Sequence, residues 1–139
     1  MITEGFVNLE IGKLLKEKGF DEFCFCINYP LPDGSPHSII VPNLISNSML
    51  PSVNEFRFCK YKEDLITIPT LQMVMRWLRE VHKLYINIWA DPKDVESNDF
   101  DIIFKAQVYN GTSNYGTYEF STYEEAAEIE IKYCLENLI

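Results

Sequence analysis

No apolar run of about 18 residues occurs in this chain, so nothing in it reads as a membrane span. The opening MITEGFVNLEIGKLLKEKG lacks the basic, then apolar, then small-residue order of a secretory signal, and the expected compartment is the cytoplasm. Glycine is scarce, at six residues, and neither GK[ST] nor GxGxxG occurs, which excludes the familiar phosphate-binding loops. Histidine is scarcer still, limited to His37 and His82. Four cysteines, Cys24, Cys26, Cys59 and Cys134, are expected as free thiols, and the first two are too close along a strand to bridge. No repeat and no low-complexity tract appears, so a solenoid is excluded.

Basic residues are short in one half only. Residues 1 to 90 hold 10 acids against 9 bases, whereas residues 91 to 139 hold 11 against 3, for a net charge of −9. Such a field repels phosphate backbones, so no nucleic-acid partner is expected. With 47% hydrophobic and 14% aromatic residues in a chain of 139, there is ample material for one core. The expectation is a single α+β domain spanning residues 1 to 139.

The pattern along the chain predicts the order α-β-(irregular)-α-β-β-β-α. Asn8 caps a helix over residues 9 to 18 with Leu9, Ile11, Leu14 and Leu15 inward, and Gly19 supplies a left-handed stop. Residues 22 to 29 alternate as a half-buried strand, with Phe23, Phe25 and Ile27 on one side. Five of seven prolines fall between Pro30 and Pro51, so the segment to Asn54 is irregular, with short strands expected at 37 to 41 and 55 to 61. A second helix starts near Pro69 and runs to about Val81, with Leu71, Val74, Met75, Leu78 and Val81 on its apolar face. Strands at 84 to 90, 100 to 109 and 117 to 120 form an antiparallel meander, the last two joined by a turn from Asn110 to Gly116. A capping box, Ser121 with Glu124 or Thr122 with Glu125, opens a final helix that buries Tyr123, Ala127, Ile131, Cys134 and Leu138. The fold class is therefore an antiparallel sheet, the meander at 84 to 120 plus one or more N-terminal strands, packed by two or three helices.

The segments PTLQMVMRWLREVHKLYI (residues 69 to 86), STYEEAAEIEIKYCLENLI (residues 121 to 139) and KLLKEKGFDE (residues 13 to 22) resemble a family of short uncharacterised proteins encoded by gut anaerobic bacteria and by their phages and prophages. The resemblance covers core and capping positions, so it implies a shared fold and no activity.

The residues carry no catalytic, cofactor or metal signature. Cys24, Cys26, Cys59 and His37 have the wrong spacing for familiar zinc motifs. Asp91, Asp94, Glu96, Asp99 and Asp101 lack the glycine and closing glutamate of an EF-hand. His82, at the end of the second helix, has no nucleophile beside it and suits a charged imidazole against the helix dipole. Helix, three strands and helix is also the order of double-stranded RNA-binding domains, but lysines grip phosphate at the start of their last helix, where this chain reads STYEEAAE.

Large residues are in surplus. Tyr85, Trp89 and Tyr109, with Ile103, either form a second core layer or an exposed patch, and Trp77 borders the apolar face of its helix. The leading expectation is a non-enzymatic protein-interaction or accessory protein of phage or prophage type, acting through Trp89, Tyr85, Tyr109 and Trp77 on a protein partner or on a second copy of itself in a homodimer. One alternative is an acidic mimic of nucleic acid that works through Glu125, Glu128 and Glu136 on a basic target. Another is a small-molecule binder built on residues 30 to 68.

Overall fold

The computed structural model of the chain describes residues 5–22, 26–30, 36–40, 66–93 and 101–139. They build two compact units, Met1–Thr70 and Leu71–Ile139, and the fold class is α+β as the sequence pattern implies. In the first unit α1 (Leu9–Glu17) begins where Asn8 Oδ1 accepts the Ile11 N–H at 2.9 Å. It ends at Gly19, whose φ of 83° is the left-handed stop expected there. Ile11 and Leu15 are buried, while Leu9 and Leu14 are only half-buried.

Strands β1 (Cys26–Pro30), β2 (Pro36–Ile40) and β3 (Ile66–Ile68) make an antiparallel sheet in the order β2-β1-β3. These strands bond to one another and form a sheet separate from the C-terminal meander. Gly12 explains how α1 seats on this sheet. A Cβ at position 12 would lie 2.9 Å from Ile68 Cδ1 and 3.3 Å from the Thr67 carbonyl oxygen, so a larger residue there would have to displace the Ile68 side chain. The expected strand at 55 to 61, the residues Phe23, Cys24 and Phe25, and most of the irregular segment lie outside the described residues.

In the second unit α2 (Leu71–Val81) buries Leu71, Val74, Met75 and Leu78, as its spacing predicts. Two positions on it depart from expectation. Val81, assigned to the apolar face, is exposed, whereas Trp77, assigned to its border and to a partner surface, is only 7% exposed. The chain leaves the helix through Lys83, which adopts φ 57° in place of the usual glycine while its Nζ donates to the Glu80 carbonyl at 2.8 Å. This tight exit turns the Trp77 ring edge-on to His82 at 4.5 Å and leaves Val81 outside.

Strands β4 (Tyr85–Pro92), β5 (Ile102–Tyr109) and β6 (Asn114–Phe120) form the expected meander, β4-β5-β6. The turn before β6 is shorter than predicted. Asn110 Oδ1 accepts from the Thr112 and Ser113 N–H groups, an Asx turn that reverses the chain by Ser113. Gly116 therefore lies inside β6, at φ 54° and beside a shift in register between Ala106 and Val108, the arrangement of a bulge. Ile102 is exposed at the outer end of β5.

Helix α3 (Tyr123–Asn137) opens on the second of the two capping boxes. Thr122 Oγ1 accepts the Glu125 N–H at 3.1 Å, and Glu125 Oε2 accepts the Ser121 N–H at 3.2 Å. Its buried residues are Ala126, Ala127, Glu130, Ile131, Cys134 and Leu135. Ala126 packs with Ala106 and Phe120, and Ile88 and Phe104 close the edges of that cluster. Alanines on both sides bring helix and sheet into close contact. Each larger buried side chain, such as Ile131 or Leu135, adds roughly 1.5–3 kcal/mol.

Candidate functional site

Period-2 alternation sorts the meander into two faces. Ile86 and Ile88 are half-buried on the side of α3, while Tyr85, Asn87 and Trp89 are exposed on the other. Cross-strand pairing joins Tyr85 to Tyr109, Asn87 to Gln107, Trp89 to Lys105 and Asp91 to Ile103, and Lys105 in turn to Glu119. The face remote from α3 is thus a mixed aromatic and polar surface. Tyr85, Trp89 and Tyr109 are 42%, 37% and 41% exposed.

The rings are held before any partner arrives. Tyr85 and Tyr109 lie 6.4 Å apart between centroids, within the range of favourable aromatic pairs. The Tyr109 hydroxyl donates to the Gly111 carbonyl at 2.8 Å. Trp89 Nε1 donates to Asp91 Oδ2, which also pairs with Lys105 Nζ, each at 3.2 Å. A single carboxylate therefore orients both the indole and the ammonium. Along β4 the four-residue step from Tyr85 to Trp89 spans about 13 Å, enough for a short peptide segment to lie across both.

A cavity of about 320 Å³ lies at one end of this face, with Ile103 and Glu119 shared between the two. Among the described residues Asp101, Glu125 and Lys93 also line it, and neither histidine nor cysteine does. Ser121 lines it too, its N–H donating to Glu125 Oε2 at 3.2 Å. Among the described residues no group of three histidine, cysteine or acidic side chains could hold a metal. Cys26 pairs with Ile40 and His37 with Tyr29, three steps apart on the ladder, while Cys24 and Cys59 lie outside the described residues. Of the acidic stretch, Asp91 is engaged with Trp89 and Lys105, and Asp94, Glu96 and Asp99 lie outside the description.

The remaining predicted positions separate. Trp77 does not join the aromatic patch, because it is packed inside the second unit. On the expected acidic face of α3, Glu125 is exposed and takes part in the cap, Glu128 is half-buried, and the exposed Glu136 lies 3.9 Å from Lys132. His82 follows the last turn of α2 and is half-buried. Desolvation lowers its pKa, and its Nε2 is buried without a partner, so burial outweighs the attraction of the helix terminus.

Glu130 escaped the sequence reading. It lies three residues after Ala127 and four before Cys134, so helical spacing alone puts it on the buried stripe, but a carboxylate there reads as a surface residue. Comparison with family models, with curated proteins and with solved structures returns no match. Function therefore has to be argued from these residues.

Proposed function

We propose that the protein is a non-enzymatic interaction module that binds a protein partner, or a second copy of itself, through the open face of β4, β5 and β6. The observation that carries this reading is the fixed row of Tyr85, Trp89 and Tyr109, exposed on a sheet whose opposite face is packed by α3. Tyrosine and tryptophan bury much area at little entropic cost, and rings already anchored lose less freedom on binding. The surrounding Asn87, Gln107, Lys105 and Glu119 supply a polar rim. On this reading the protein is an accessory factor of phage or prophage type, acting in the cytoplasm.

The test compares two sets of substitutions. Trp89→Ala or Tyr85→Ala is expected to weaken association with a captured partner, or self-association in sedimentation, by about 2 kcal/mol, roughly thirtyfold in Kd, with the melting temperature retained. Reversal of Glu125, Glu128 and Glu136 to lysine is expected to leave the affinity intact. The opposite pattern would establish the acidic mimic instead and refute the aromatic surface.

A further inference from the structure

Helix α3 reverses its own amphipathic order at one step. Glu130 is only 2% exposed, while the adjacent Ile129 is 49% exposed. Glu130 Oε1 has no hydrogen-bond partner, and no ion pair reaches the residue among those described. An unpaired carboxylate so placed is strongly disfavoured in its charged form.

The surroundings offer little compensation. Helix α3 packs against α2, β4, β5 and β6. On the packed side the strands present Ile86 and Ile88, then Phe104, Ala106 and Val108, then Tyr115 and Phe120. The charged Asp91, Lys105 and Glu119 belong to the open face, and Arg76, Arg79 and Glu80 of α2 are exposed. Titratable groups on the packed side are Tyr115, whose hydroxyl accepts from Asn110 Nδ2, Tyr118, which pairs with Ala106 but is largely exposed, Tyr123 and Tyr133 of α3, His82 after α2, and Cys134. Cys134 stands one turn from Glu130 and is fully buried. Of these only His82 can carry a positive charge, and desolvation lowers its pKa; the half-buried Lys132 of α3 lies 3.9 Å from Glu136.

We propose that Glu130 is a proton-operated latch: protonated, it lets α3 seat fully on the meander, and loss of the proton weakens that seating. Burial pushes its carboxyl from 4.5 up to about 7. Because the folded value is raised, the favourable contribution is complete below about pH 4.5 and is lost progressively as pH climbs to about 7. The latch therefore works just below and around neutrality, where a modest pH change alters its occupancy.

Hydrogen exchange of the α3 amides in the whole chain reads the latch directly. Their protection, corrected for intrinsic exchange, is expected to fall about tenfold between pH 6 and pH 8, and this dependence is expected to vanish in Glu130→Gln. Carboxyl-carbon NMR of the unsubstituted chain is expected to show a Glu130 midpoint near 7. Protection that is flat with pH, an equal slope in Glu130→Gln, or a midpoint in the ordinary carboxylate range overturns the proposal. Should Glu130→Gln fail to fold, the titration of the unsubstituted chain decides alone.

Discussion

At the scale of single residues, the second unit keeps its polar exceptions where charge is hardest to solvate. Cys134 illustrates the consequence. Burial first, and the neighbouring Glu130 second, push its thiol from 9.0 up to about 12. A thiolate is the reactive species, so this cysteine is chemically silent in the folded protein. Maleimide labelling at pH 8 followed by mass mapping is expected to leave Cys134 unmodified in the native chain and to modify it fully in urea. Rapid native labelling would show that α3 opens far more often than its packing implies. Trp77 and Val81 carry a related lesson: which border residue of an amphipathic helix turns inward was decided by the next few residues of chain.

At the scale of elements, helix ends and strand alternation were legible in the sequence, and their meeting points were not. Asn8, Thr122 and Gly19 act where their chemistry predicts, because a cap depends on residues within one turn. The alternation of Tyr85, Ile86, Asn87, Ile88 and Trp89 was equally local, but whether its aromatic side would be covered depended on where the helices packed. The candidate surface was therefore visible as a set of residues and unassigned as to burial. Glu130 stayed hidden because its position said core while its charge said solvent. The end of α2 supports a prediction at this scale. Lys83 holds a left-handed backbone that side chains with a Cβ adopt only at about 1–2 kcal/mol, and its Nζ bond to Glu80 is exposed. Lys83→Gly is expected to raise stability by about 0.5–1 kcal/mol in urea denaturation. A loss instead would mean that the Nζ cap outweighs the backbone strain.

At the scale of the whole molecule, charge and chain order decide what the fold can serve. The second unit runs helix, three strands, helix, the order of double-stranded RNA-binding domains, yet α3 begins with Glu124 and Glu125 where a phosphate grip needs lysines. With a net charge of −9, the protein is expected to show no retention on duplex RNA or DNA in a filter or mobility assay, even at low salt. Salt-sensitive retention would overturn the charge argument. The two compact units also divide at Thr70 and Leu71, each an unbroken stretch of sequence. During synthesis α1, β1, β2 and β3 of the first unit are in hand before most of the second has left the ribosome. The second needs only neighbours along the chain to pair β4, β5 and β6. Short-range pairing of this kind shortens the search for the native state and limits the time for which half-made sheets are exposed to one another.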